Sequence, residues 1–537
     1  MTSYGLWIIV LAVGYTAALI IAGQVAKRRL TSKNSYFVGN RKFNKWIVAF
    51  CITGLFSGSS YISILELSYL SGVSAVWYGV AEIVQIFIIA FLIIRPFRNK
   101  MMVTVSGLIG DQYGRAAKGV AGAITAFAFP MWSVATAIAF ASAIHVFTGI
   151  SLSLSVAFTA ILLFIYLQSG GMWSLAFTQT MNIVLFSIMI IIGAIAFFIE
   201  PGIDGLRTLA LEQPAMFDFG NAGLQVIIVW FATFLVNVIL AQAAFQMALS
   251  AKSAEEGQKG LIMAGFMAVP FILGGVLFGM AAVSVVPDAQ TGLIGVPLYM
   301  MEALPAPLVG LFFLGVWACA LGWGGPCQFS GATSLGRDVG SAIRPAASEN
   351  QLIHYTKLSL LVLTVLMIVF GLMRTEQSAW WNVMAWTIRN SATFAPVVAA
   401  LFWPVVTKRA VVAALFFGFA SGLSWYYLGD WDPNAFFLNI HPVWIGSSVN
   451  IFSIVVVTLL DRQSEWFVRR TDRLAYLGLI AGIVLVGINT VYFAPIYGNG
   501  LFGLVMFASV LSFFITVIRF VRPKDERKQQ LREVSNF

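Results

Sequence analysis

Charge is what this sequence has least of. Only 10% of its 537 residues are Asp, Glu, Lys or Arg, and 59% are apolar, whereas a water-soluble domain carries about 25% charged residues. With a mean hydropathy of +0.88 the chain cannot cover a water-facing surface, so lipid is its expected solvent. Polar linkers are missing too, which predicts one membrane domain over 1–537. The three cysteines, Cys51, Cys319 and Cys327, all lie in apolar runs and argue against a disulfide framework. His145, His354 and His441 are far apart, and neither HExxH nor GxSxG occurs in a workable setting. The chain therefore reads as no enzyme and calls for no cofactor beyond a coupling ion. The opening MTSYGLWIIV lacks a basic n-region and a cleavage site, so the first helix is expected to be a true span.

What the chain has in abundance is spans. A span needs roughly 20 apolar residues, and fifteen segments qualify, near 4–26, 46–70, 75–97, 119–148, 151–168, 172–198, 222–248, 261–286, 306–334, 358–374, 381–404, 410–428, 444–460, 474–494 and 500–518. The shortness of 444–460 leaves the count at 14 or 15. With the N-terminus outside, the inner loops collect most of the 32 Lys and Arg residues, from KRRLTSKNSYFVGNRKFNK at 27–45 to the tail 519–537. The outer loops are acidic instead, with Glu200, Asp204, Asp288, Glu376 and Asp430 among them. The positive-inside rule thus predicts an integral plasma (cell inner) membrane protein with its C-terminus in the cytoplasm. The net charge of +10 belongs to those loops, so lipid is the expected surroundings and no nucleic acid is called for.

Five stretches in order resemble the sodium/solute symporter family. YFVGNRKF at 36–43 is similar to its YFxGGR motif, and GGMWSLAFTQTMN at 170–182 to GGxxAVxxTDxxQ. QAAFQMALSAKSAEEGQKG at 242–260 is similar to QxxxQRxLAAKSxxEAxKG. GATSLGRDV at 331–339 resembles SSxxxxRDxY at the exit of core helix eight, and 393–422 resembles PxxLGLFWKRxTxxGAxxGxxxG. The resemblance implies an all-α polytopic membrane protein of the leucine-transporter type. One leading helix (4–26) precedes two inverted five-helix repeats (45–198 and 222–404), with about four trailing helices (410–518). It also implies a solute site near the bilayer midplane, where broken helices expose backbone groups. Gly54, Gly58 and the hydroxyls of TGLFSGSSYIS (53–63) agree with a break in core helix one. Close packing through small residues is the competing reading.

Departures from the family pattern are concentrated in one place. Members hold sodium between core helix one and a Ser/Ser or Ser/Thr pair in core helix eight, and that pair falls here on Gly322 and Trp323. The acidic residue of TDxxQ is Gln179, and an acidic residue early in core helix one is Leu55. Hard cations want oxygen ligands, so the resemblance implies a degenerate sodium site. The Asn and gating Tyr of the sugar-binding branch become Ala241 and Ala243, with Met247 in place of an Arg, which speaks against sugars.

Three charges lie inside spans, where each costs about 2.5 kcal/mol or more on insertion scales: Glu66, Glu82 with Gln85 on the same face, and Arg389. An Arg389–Glu structural pair is one reading. In the other, Arg389 clamps a substrate carboxylate, because guanidinium is a planar fork that stays charged, and a glutamate carries a coupling proton. Ser57, Ser59, Ser60, Glu82, Gln85, Gln242, Trp386 and Arg389 are the expected solute-binding residues. Glu66, Gln179, Gly322 and Trp323 are the coupling or gating candidates. The sequence therefore points to a secondary transporter of a small solute. Sodium coupling, proton coupling and uncoupled transport stay open, as does a transporter-like sensor acting through a separate partner.

Overall fold

Helix boundaries follow local chemistry. The structure, a computed structural model, describes residues 2–27, 36–37, 39–99, 103–168, 171–461, 465–469 and 471–524. The basic stretch 28–35 and the tail beyond 524 lie outside the described residues. Asn44 starts core helix one, its side chain accepting from the Ile47 N–H at 3.0 Å. That helix runs Lys45–Ser71 and stops at Gly72. Gly72 has a φ of +65° and lies so close to the Met216 carbonyl that a Cβ would not fit. Core helix two begins at Val76–Ile88 and continues through a π-helical stretch, Ile89–Ile93, to Asn99. Thr104, Ser151, Ser253 and Thr407 cap later helices through their hydroxyls.

All fifteen expected spans fall on helix. Among the described residues, eleven helical stretches are long and apolar enough to cross a membrane, or twelve with the bent pair Leu224–Asn237 and Gln242–Ala248. The remaining difference has three sources. Lys45–Arg98 folds back at Gly72 and holds two helices. Leu152–Leu167 is short, and Ser378–Phe402 is rich in polar side chains.

Core helix one forms the axis of the bundle. Every residue from Cys51 to Glu66 is buried. It packs against Ala254–Met267, Val269–Val285, core helix five (Met172–Ile199) and core helix eight (Ala306–Ala332). Core helix three, Arg115–Thr148, lies between core helix eight and core helix ten (Ser378–Phe402). Four trailing helices follow, Lys408–Leu428, Pro442–Leu460, Arg473–Val491 and Phe502–Phe520. A short antiparallel pair, Trp466–Val468 with Val521–Pro523, links the segments that flank the last two helices.

The break expected in core helix one is absent; Lys45–Ser71 is a continuous helix. It contains no proline, and its small residues serve contact instead. A Cβ on Gly54 would meet Gln179 Oε1 at 2.3 Å, and one on Gly58 would meet the Cys319 carbonyl oxygen at 2.9 Å. The packing reading of the small residues therefore holds. The discontinuity lies in core helix six. There Leu224–Asn237 gives way to Gln242–Ala248 with a 48° bend, and Leu240 N–H turns back to the Asn237 carbonyl at 2.8 Å.

Two helix-interior prolines, Pro326 and Pro396, release carbonyls that amide side chains take up. Pro396 has no N–H for the Ala392 carbonyl one turn earlier. Asn450 of Pro442–Leu460 fills the gap, donating to Ala392 O at 2.8 Å and to Ala414 O at 2.9 Å while accepting from Ala395 N–H at 2.8 Å. The carbonyl that Pro396 frees is therefore occupied within the bundle.

Candidate functional site

The break in core helix six opens on a cavity in the middle of the bundle. Its walls come from core helices one, three, six, eight and ten, through Phe56, Trp132, Asn237, Trp323, Trp386 and Arg389. The cavity is tight, with about 20 Å³ open to the centre of a water molecule, close to the minimum that holds one water. Trp132, Trp323 and Trp386 stand around it with ring centroids 6.1 to 6.5 Å apart.

Arg389 is buried and forms no ion pair among the described residues. The structural pair with Glu66 or Glu82 is therefore not made. Its Nη2 donates to Asn237 Oδ1, next to the helix break, and to Asn390 Oδ1 at 3.2 Å. The guanidinium lies 4.6 Å from the Trp132 ring centroid and 5.9 Å from that of Phe129, at cation–π range. Two donors remain buried without an acceptor, Arg389 Nε and Trp323 Nε1. A buried cation whose contacts are neutral amides and aromatic faces is suited to an incoming anion.

The other expected residues divide into separate clusters. Gln242 lines the cavity but spends its hydrogen bonds on an inner seam, donating to Ser330 O at 3.1 Å and Ser334 Oγ at 2.9 Å and accepting from Val105 N–H at 3.0 Å. In the same seam, Thr104 and Ser106 each donate to Asp338 Oδ2 at 2.6 Å. Glu66 lies at the opposite end of core helix one. Its Oε2 accepts from Ser378 Oγ at 2.7 Å and Ala379 N–H at 3.1 Å, so a carboxylate meets the N-terminus of core helix ten. Ser59 accepts from Asn382 of core helix ten at 3.3 Å. Ser60 donates to Glu82, and Ser57 and Gln85 lie buried close by along the same pair of helices.

Gln179 and Gly322 meet directly. Pro326 removes the N–H that would cap the Gly322 carbonyl, and Gln179 Nε2 replaces it at 2.6 Å. Gln179 Oε1 accepts from Asn182 at 3.2 Å, and Asn182 in turn accepts from Tyr15 of the leading helix at 2.8 Å. A Cβ on Gly322 would lie 2.5 Å from the Gly54 carbonyl oxygen. Core helices one, five and eight are thus closed on one another, with a neutral amide between them.

Residues 36–418 match the model of the sodium:solute symporter family. The chain belongs to that family. Its fold is that of a leucine-transporter-type carrier. A Na+-coupled sialic acid symporter in a substrate-bound, outward-open state superposes with a TM-score of 0.70 at 16% identity, covering 85% of this chain and 98% of the other. For a family member, the seam at Gln179 lies where the resemblance expects sodium.

Sequence reasoning did not single out Asn237, Asn382 or Asn390. Asn237 carries a readable signal, a lone amide in the apolar run FLVNVILA, where an unpaired polar group is costly.

Proposed function

We propose that the protein is a secondary transporter, not an enzyme, carrying a small carboxylate-bearing solute by alternating access. The solute's anionic end sits on Arg389, and its body lies among Trp132, Trp323 and Trp386. The observation that carries this reading is the set of unanswered donors in the central cavity. Arg389 is buried beside neutral partners, and its Nε and Trp323 Nε1 lack acceptors. A carboxylate is planar and bidentate and satisfies both charge and geometry. On this reading the seam between core helices one and eight takes no ordinary sodium ion, which is supported by the Gln179 amide bonded to the Gly322 carbonyl and packed against Gly54 there. The carrier works in the plasma (cell inner) membrane with its N-terminus outside, as the loop charges support.

The test is uptake into proteoliposomes holding the full chain, with labelled small carboxylates, neutral amides and amines as separate arms. Uptake of at least one carboxylate, competed by other carboxylates and lost in Arg389→Gln, is expected. Preferential uptake of a cationic solute would sink the reading.

A further inference from the structure

The seam between core helices one and two holds polar groups that the central cavity does not use. Ser60 Oγ donates to a Glu82 carboxylate oxygen. The two helices are joined by the short turn Gly72–Ala75 and run antiparallel, packed on each other. Moving three residues back from Ser60 and three residues on from Glu82 reaches Ser57 and Gln85, both about 4.5 Å further along at 1.5 Å per residue. These four residues therefore form two matched rungs of one ladder. Both Ser57 and Gln85 are buried. Ser57 Oγ, Gln85 Oε1 and Gln85 Nε2 all lack a hydrogen-bond partner.

From these rungs we infer a binding site for one monovalent alkali cation, held by Glu82, Gln85, Ser57 and Ser60. The ligand chemistry is all oxygen: one carboxylate, one amide oxygen and two hydroxyls, the donor set hard cations take. The charge fits as well. In its ionised form Glu82 carries one negative charge, and it forms no ion pair among the described residues, so a monovalent ion neutralises it while a divalent ion leaves a buried excess. A proton would neutralise Glu82 but leave Ser57 Oγ and Gln85 Oε1 unanswered, which costs the desolvation of each. Gln85 Nε2, one turn from Glu82 on the same face, is placed to donate to the carboxylate.

The site also has a route to the solute. Phe56 lines the central cavity and is followed directly by Ser57, so an ion that fixes Ser57 and Ser60 fixes the wall of the cavity. This couples ion and solute through core helix one, with no ion at the Gln179 seam.

The inference does not rest on the solute, so it is tested without one. Purified full-length protein in detergent is titrated with NaCl, KCl or LiCl against choline chloride, at constant ionic strength and pH, and the melting midpoint is followed. A saturable rise with at least one alkali cation is expected. It should be lost in Glu82→Gln, and its half-saturating concentration should rise at least tenfold in Ser57→Ala and Gln85→Ala. If Glu82→Gln does not fold, the latter two variants carry the test. The inference is overturned if no alkali cation shifts the midpoint, or if the shift survives in all three variants. A midpoint that responds to pH identically in every salt, with the response lost in Glu82→Gln, places a proton there and also overturns it.

Discussion

Gln179 Nε2 donates to the Gly322 carbonyl oxygen at 2.6 Å, replacing the backbone N–H that Pro326 lacks. Leaving a buried carbonyl unpaired costs about 1–3 kcal/mol. Gln179→Leu should therefore lower the apparent unfolding free energy by roughly that amount. Pro326→Ala restores a backbone donor and makes the amide redundant. In a double-mutant cycle, Gln179→Leu should cost less in the Pro326→Ala background than in the native one. Equal costs in both backgrounds would refute this account of the bond.

Two glycines at the same seam should differ in tolerance. A methyl on Gly322 meets the Gly54 backbone carbonyl at 2.5 Å, whereas one on Gly54 meets the end of the Gln179 side chain at 2.3 Å. Backbone cannot step aside and a side chain can, so Gly322→Ala should be the more damaging change. Overpacking costs about 1–3 kcal/mol. Yield of folded protein by gel filtration and the melting midpoint of each variant decide the order.

Arg389 and Asn237 offer a test by design. Asn237→Asp would place a carboxylate at the existing Nη2 contact and give the guanidinium an internal counter-ion. Solute uptake should fall at least tenfold while the folded protein persists. Arg389→Lys keeps the charge and loses the fork, so uptake should weaken with little change in the melting midpoint. Full activity in Asn237→Asp would speak against a carboxylate at this position.

Asp472 caps Arg473–Val491, accepting from Leu474 N–H at 3.0 Å and Ala475 N–H at 3.3 Å, and pairs with Arg519 at 2.9 Å. Burial pushes its carboxyl up, but the Arg519 hydrogen bond, the backbone donors and the Arg519 charge together hold it below the usual carboxylate range. A depressed carboxyl contributes stability above its unfolded value, about 3.9, and loses it as pH falls through the folded value. Asp472→Ala should cost about 1 kcal/mol at neutral pH. The gap between native protein and variant should close below about pH 4. Thermal unfolding at several pH values measures it.

Loop orientation can be read chemically. Cys51, Cys319 and Cys327 are buried, while Asp204 and Lys259 are exposed. An impermeant maleimide should label Asp204→Cys in intact cells and Lys259→Cys only after the membrane is opened. The reverse pattern would invert the orientation.

Much of the bundle was legible because lipid demands long apolar runs, and every expected span is helical. The location of the break was not legible. Gly54, Gly58 and the neighbouring hydroxyls read equally well as a kink or as a packing face, and only the neighbours Gln179 and Cys319 distinguish the two. At the cavity, Arg389 was marked by the cost of burying a charge, and Trp323 by its place at the family's sodium pair in core helix eight. Asn237 and Asn390 are its partners only because a bend in one helix brings a second within reach. The roles of Pro326 and Pro396 depended on which amide faced each freed carbonyl, Gln179 or Asn450. That pairing joins residues 143 and 58 positions apart in sequence.

Asn450 bonds to backbone atoms on both core helix ten and Lys408–Leu428. A staple of this kind makes three helices one mechanical part. If core helix ten tilts as the carrier changes access, the first two trailing helices must swing with it. The moving mass then reaches the lipid-facing rim of the molecule, and the thickness and stiffness of the surrounding bilayer become a direct load on the transport cycle.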